Sequence, residues 1–140
     1  MDSTTIFAFL VGVLVVAILL VVVIFITKKG PAPLDIEKYR MRWLAIEKQL
    51  NRDDPSSLSM TVLNADKLLD LALKERGIKG ETMGERMKVA KDTWSNANAI
   101  WTAHKLRNQI AHEPEVTVGY DDARRALGAF KQALKDVGAI

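Results

Sequence analysis

Two different hydrophobic patterns divide the chain near residue 28. Residues 6–27 read IFAFLVGVLVVAILLVVVIFIT and contain no charged side chain. At about 1.5 Å of rise per residue, a helix of this length spans the hydrocarbon core of a bilayer. From residue 34 onward, apolar and polar residues instead alternate with helical periodicity. The pattern therefore predicts an N-terminal tail at residues 1–5, a transmembrane helix at residues 6–27 and a helical domain at residues 34–140.

The sequence on both sides of the apolar segment indicates an uncleaved, single-pass anchor. A secretory signal would need a basic start and small residues at a cleavage site, whereas here no Lys or Arg precedes the segment and it ends in Val-Ile-Phe-Ile. Residues 28–33 (KKGPAP) are predicted to form a short, stiff linker. Because basic residues concentrate after the segment, the positive-inside tendency predicts a cytoplasmic C-terminal domain. The basic residues that follow closely are Lys28, Lys29, Lys38, Arg40 and Arg42.

The domain at residues 34–140 reads as helices throughout. Apolar residues recur at steps of three and four, which is typical of amphipathic helices. Pro114 disfavours helical geometry at Glu113, so the fourth helix should end beside His112. The predicted main helices cover about residues 36–50, 57–76, 93–112 and 120–137, with a short one between Thr82 and Lys91 that a Thr82–Glu85 capping box begins. The predicted fold class is all-α, a transmembrane helix followed by a four-to-five-helix up-and-down bundle.

Composition narrows the classes of protein that remain. The mean hydropathy of the 140 residues is +0.03. This value is near zero because the high hydropathy of the apolar segment offsets the low hydropathy of the polar domain. The domain from residue 28 onward holds all 20 basic residues and 16 of the 17 acids, so its net charge is +4. The absence of Cys excludes disulfides, thiolate metal sites and cysteine nucleophiles. What remains is a small, mildly basic domain on a membrane tether.

Both histidines of the chain lie near the end of the fourth predicted helix. His104, Asn108 and His112 follow one another at four-residue intervals, which places them on one helical face, and Arg107 lies beside them. A metal site is not expected, because the two histidines lie about 12 Å apart along the axis and no carboxylate stands at a suitable offset. We also expect no cofactor.

Two interpretations of this cluster stay open. In the structural one, His104 and Asn108 are buried polar groups that fix the packing, His112 caps the helix, and Arg107 pairs with an acid such as Asp66. In the chemical one, Arg107 holds a phosphate and His112 transfers protons to and from ribose and leaving oxygens. Five residues along a helix rotate by about 140°, so this chemistry would need a distorted helix end or a second chain.

The run Arg107-Asn108-Gln109-Ile110-Ala111-His112 resembles the Arg–x(4–6)–His motif of the HEPN superfamily of all-α bundles, in which Asn commonly follows the Arg. The resemblance implies a metal-independent endoribonuclease that cleaves RNA at a site shared by two protomers. It implies that Arg107 orients phosphate, that Asn108 is a polar partner and that His112 is the general acid or base. We further expect His104 and Lys105 to contact the substrate.

The sequence thus favours a membrane-anchored, HEPN-like homodimer that cleaves RNA. The alternative is a non-catalytic, membrane-tethered helical module for dimerisation or partner recruitment. A third hypothesis is a lipid-surface adaptor that uses the basic residues between Lys28 and Arg42. An open, basic, symmetric cleft bordered by Arg107 and His112 would favour the first, whereas burial and pairing of both residues within one chain would exclude it.

Overall fold

The structure is a computed structural model that describes residues 2–27 and 33–140, and these residues form helices without any strand. The elements are α1 (Ser3–Thr27), α2 (Ile36–Gln49), α3 (Pro55–Glu75), α4 (Met83–Val89), a 3-10 turn (Lys91–Thr93), α5 (Ala97–His112) and α6 (Tyr120–Asp136). The predicted all-α class is therefore confirmed for this part of the chain. Two compact units are present, Met1–Pro31 and Ala32–Ile140. The predicted linker at residues 28–33 lies outside the described residues, apart from Pro33.

α1 is a single helix of 25 residues, which corresponds to about 37 Å. Its side chains are apolar on every side and none of them is buried. A helix in water would not keep so many large apolar side chains exposed, whereas lipid solvates them and the helix satisfies its own backbone. By length and composition α1 is a candidate membrane span.

α3 is the central helix of the second unit. It contacts α2, α5 and α6, α5 also contacts α6, and the short α4 packs against α3. The apolar positions that repeat along α2, α3 and α6 point into one shared core, while Ile36 at the very start of α2 stays half exposed. The largest fully buried side chains are Tyr39, Val62, Leu69, Leu73, Met87, Ile100, Phe130 and Leu134.

Local caps explain where α3 and α4 begin and end. Pro55 occupies the first turn of α3, where its missing N–H costs nothing, and Asp54 accepts a hydrogen bond from the Ser56 amide. Gly77, with φ of +76°, ends α3 in the left-handed conformation that glycine adopts without strain. The predicted capping box between Thr82 and Glu85 is present at the start of α4.

α5 begins at Ala97, later than the predicted start near residue 93. Three contacts interrupt the helix before that point. Trp94 is extended and donates its indole N–H to the Met87 carbonyl at 3.0 Å, and Ser95 binds the Asp136 carboxylate at 2.9 Å. Asn96 then caps α5 by accepting from the Ala99 amide. Tertiary hydrogen bonds therefore override the helical pattern of these residues.

Candidate functional site

An open groove of about 1190 Å³, here called the site groove, lies between α3, α4 and α5. The residues that border it include Asp66, Gly84, Trp101, Arg107 and His112. The first comes from α3, the second from α4 and the other three from α5. The groove is thus built where the short helix α4 leaves the side of α5 uncovered.

Asp66 is a carboxylate on the apolar side of α3. It follows Val62 by four residues and precedes Leu69 by three, and only 3 % of its surface is exposed. A buried carboxylate is costly unless it is paired or hydrogen-bonded. Its Oδ1 lies 2.8 Å from Nδ1 of His104, and its Oδ2 lies 3.2 Å from Nε of Arg107. α3 therefore holds two polar side chains of α5 through one buried acid.

The contacts continue along α5 and return to Asp66, so that they form a closed ring. A carboxylate only accepts hydrogen bonds, so Nδ1 of His104 donates to Asp66 and Nε2 of the neutral ring accepts from Nδ2 of Asn108 at 3.3 Å. Oδ1 of Asn108 accepts from Nη1 of Arg107 at 3.0 Å. We call these four residues the Asp66 network. The network holds the guanidinium of Arg107 from two sides, by Asp66 and by Asn108.

Arg107 keeps hydrogen-bonding capacity after these contacts. Its Nε is close enough to Asp66 for an ion pair, but the N–H is not aimed for a hydrogen bond, and Nε has no other partner among the described residues. The side chain is 35 % exposed and borders the site groove. Arginine presents five N–H donors in a planar fork that matches a phosphate or carboxylate. The arrangement can therefore bind an oxyanion that enters the groove.

His112 is the last residue of α5 and is exposed. It borders the same groove as Arg107, although the helical rotation between them places the two side chains on different parts of the wall. An imidazole can act as a general acid or base toward a group bound beside it. The site groove of one chain thus presents a held arginine and one exposed imidazole, because the second imidazole, His104, is engaged by Asp66.

Lys105 lies apart from the other predicted site residues. It is exposed and borders a separate depression between α5 and α6. The structure therefore brings together Asp66, His104, Arg107, Asn108 and His112, and it does not bring Lys105 to them. His104, which was expected to contact substrate, is 8 % exposed and faces Asn108 inside the network.

The ring of His104 is enclosed by two further groups. Trp101 meets it edge to face with ring centroids 6.1 Å apart. Gly84 of α4 lies close to both rings, where an added Cβ would come within 3.8 Å of Nε2 of His104 and 4.0 Å of Cζ3 of Trp101. Trp101 and Gly84 therefore limit solvent around the imidazole and confine its orientation.

A second ionic cluster lies one turn along α3, at Asp70. Oδ1 of Asp70 accepts from Nε of Arg86 at 2.7 Å, and Lys74 pairs with Oδ2 at 2.7 Å. Arg86, on α4, is 5 % exposed and also donates to the Gly80 carbonyl. Burial alone would raise the pKa of Asp70, but the hydrogen bonds from Arg86 and Lys74 outweigh it and the pKa lies below its usual range. This cluster fastens α4 to α3.

Sequence reasoning named Asp66 only as a candidate partner of Arg107, and it missed Asp70, Arg86 and Gly84. The signal for Asp66 was present, because a charge at an inward position of an apolar stripe needs a partner. No comparable signal marked Arg86, since its burial follows from the tertiary position of α4. The described residues contain no group of three or more side chains suited to a metal ion.

Comparisons with known proteins found no match: no family model matches the chain, and no curated protein or solved structure is significantly similar to it.

Proposed function

We propose that the chain is a membrane-anchored, metal-independent endoribonuclease of the HEPN type, with a catalytic site shared by two copies. The observation that supports this most is the Asp66 network, which holds Arg107 at the wall of an open groove that His112 also borders. The guanidinium is held by Asp66 and Asn108 while 35 % of the side chain stays exposed, so its remaining N–H donors can meet an oxyanion in the groove. The anchor is α1, and the helical unit is on the cytoplasmic side.

The chemistry needs only this chain's own side chains. The ribose 2′-hydroxyl attacks the adjacent phosphorus, and an imidazole takes the hydroxyl proton. Arg107 stabilises the negative charge that develops on the phosphate oxygens. A second imidazole gives a proton to the departing 5′-oxygen, which leaves a 2′,3′-cyclic phosphate and a 5′-hydroxyl. Because one groove exposes one imidazole, His112 of a second copy fills the remaining role.

The test uses the full chain in detergent micelles or nanodiscs, with single-stranded RNA and EDTA. We expect cleavage that produces 2′,3′-cyclic phosphate ends, and we expect Arg107→Ala and His112→Ala to lower the rate by at least about 100-fold. Arg125→Ala is the matched control, because Arg125 is exposed on α6 and does not border the site groove.

Several results would contradict the proposal. These are the absence of RNA cleavage, equal cleavage by the Arg107 and Arg125 variants, or cleavage of DNA that lacks the 2′-hydroxyl. An intact chain that cleaves nothing but self-associates through the helical unit would favour the alternative, a tethered interaction module.

A further inference from the structure

The edge of the bundle between α2 and α6 carries a cluster of positive charge outside the site groove. Two depressions run along this edge, and four basic side chains border them: Arg40 from α2, and Arg124, Lys131 and Lys135 from α6. We call this surface the basic face. Within residues 2–27 and 33–140, the only acidic side chain that borders the two depressions is Glu47, which pairs with Lys131 at 2.7 Å. The face therefore has a clear excess of positive charge.

Helical spacing explains why these residues share a surface. Arg124, Lys131 and Lys135 are seven and four residues apart, with Gly128 between the first two, so they follow one stripe of α6. By contrast, Lys38 is engaged by Glu75, and Arg42 borders a different depression between α2 and α3. The fold therefore brings Arg40 of α2 next to the basic residues of α6, although they are far apart in the sequence.

Exposed apolar side chains lie beside the basic residues. Leu44 borders the basic face and is 49 % exposed, and Met41, one turn away on the outer side of α2, is 60 % exposed. A surface in water gains nothing from exposing these side chains, and a phosphate backbone offers them no partner. Lipid headgroups and the acyl chains below them match both components, because basic residues bind anionic headgroups and apolar ones enter the interface.

The length of the tether limits how far the helical unit can lie from a bilayer that holds α1. Eight residues separate the end of α1 at Thr27 from the start of α2 at Ile36, and even fully extended they reach about 30 Å. That is about the diameter expected for a domain of this size. α2 is the first helix after α1 in the chain, and it carries Arg40, Met41 and Leu44. These three residues therefore lie on the helix that the tether joins directly to the anchor.

We propose that the basic face docks on the anionic headgroup surface of the membrane that holds α1. The basic face and the site groove share no residue, so docking leaves Asp66, Arg107 and His112 free for substrate. This inference rests on the proposed anchoring by α1, and it does not depend on RNA cleavage. A nucleic acid is the other polyanion that could meet the basic residues, and the test separates the two.

The test places one fluorophore on the basic face of the full chain. The chain has no Cys, so Gly128→Cys gives a single thiol for an environment-sensitive NBD label, and nothing lies within 4 Å of a Cβ at that position. Val89→Cys is the matched control, because Val89 is 63 % exposed at the end of α4 and borders neither depression. Both labelled chains are reconstituted in vesicles of phosphatidylcholine, with or without phosphatidylserine.

We expect phosphatidylserine to shift the emission of the label at residue 128 to the blue and to expose it to quenching by brominated lipids, with no change at residue 89. High salt should reverse the shift, because it screens exposed charges. The triple variant Arg40→Gln, Arg124→Gln and Lys135→Gln should lower the docked-to-free ratio about 100-fold. The matched triple variant Lys79→Gln, Lys88→Gln and Lys91→Gln removes the same charge elsewhere and should dock normally. Circular dichroism of the two triple variants serves to check that each keeps its helical fold.

Three results would overturn the inference: emission at residue 128 that ignores phosphatidylserine, an equal response at residue 89, or a response to single-stranded RNA in place of lipid. Co-flotation with pure phosphatidylcholine vesicles tests α1 separately. A chain that fails to float contradicts the anchoring, while the response to phosphatidylserine still decides whether the face binds anionic lipid.

Discussion

Asp66 and Asp70 lie one turn apart on α3 and serve different purposes. Asp66 is the more buried of the two, and its partners on α5 are the enclosed His104 and the part-exposed Arg107, which borders the site groove. Asp70 is less buried, and its partner Arg86 is enclosed and bound to backbone as well. The acid with fully satisfied partners fastens one helix to another, whereas the other acid leaves a guanidinium with donors to spare.

The comparison gives a criterion that separates a structural ion pair from the functional pair proposed for Asp66 and Arg107. Burial of the acid does not distinguish them, since Asp66 is the more deeply buried. The state of the cation does: Arg86 is 5 % exposed and Arg107 is 35 % exposed with an unpartnered Nε. Substituting the two acids identically should therefore give opposite rankings for stability and for RNA cleavage.

The largest expected effect on stability follows Asp70→Asn. The variant leaves the guanidinium of Arg86 buried without a carboxylate, which should lower the free energy of unfolding by about 3 kcal/mol. Urea unfolding of the full chain in detergent, followed by tryptophan fluorescence, measures this, because all three Trp lie in the helical unit. The cleavage rate per folded molecule should stay within about threefold of the wild type. A larger loss of cleavage would mean that Asp70 is not purely structural.

Asp66→Asn should show the reverse ranking. Cleavage should fall about 100-fold, since Arg107 loses its ionic partner and His104 loses the acceptor that fixes its ring. The free energy of unfolding should fall by only about 1–3 kcal/mol, because the amide oxygen still accepts from His104. Single-turnover cleavage under EDTA measures the first quantity and urea unfolding the second. If stability falls while cleavage per folded molecule does not, the Asp66 network is structural.

Gly80→Ala should loosen α4 without touching either acid. Gly80 has φ of +154°, and an added Cβ would lie 2.8 Å from the backbone nitrogen of Arg86. Strain of this kind typically costs about 1–3 kcal/mol of stability. Gly119→Ala is a suitable control, because Gly119 has an ordinary φ of −75° and its added Cβ would meet only the Asp122 side chain. Equal melting temperatures for the two variants would show that α4 tolerates the shift.

The smallest effect is a dependence of stability on acid pH. The pKa of Asp70 in the folded chain lies below its ordinary value of 3.8, because the bonds from Arg86 and Lys74 outweigh burial. As the pH falls below about 3.8, the unfolded chain takes up this proton before the folded chain does, so the contribution of Asp70 to stability declines. The stability difference between wild type and Asp70→Asn should therefore be constant above pH 5 and shrink below pH 4. A constant difference down to pH 2 would contradict the assignment.

The sequence predicted the helices well where local chemistry decides them. The apolar stripes of α3 and α6, the capping box at Thr82 and the termination at Gly77 all agree with the structure. It failed at the start of α5, because Trp94 bonds back to Met87 of the preceding helix and Ser95 bonds to Asp136, which is 41 residues away in sequence. Helix periodicity contains no information about such partners.

The candidate site likewise has a part that the sequence predicted and a part that depends on tertiary packing. The spacing of His104, Asn108 and His112 along one helix was enough to predict that they border a common surface, and the groove includes all three. The role of Asp66 as a shared partner of His104 and Arg107 depends on how α3 packs against α5, which spacing does not determine. The basic face depends on packing even more, since Arg40 and Lys135 lie at opposite ends of the helical unit's sequence.

The exposure of α1 on every side has a consequence for assembly. The anchoring proposed for α1 would confine the chain to two dimensions, so that two copies would meet at an effective concentration far above their average in the cell volume. The surface between copies then needs only modest affinity, and it can be small and separable. Assembly of a shared site would depend on how many anchored chains occupy a given area of membrane, which makes surface density a control on activity.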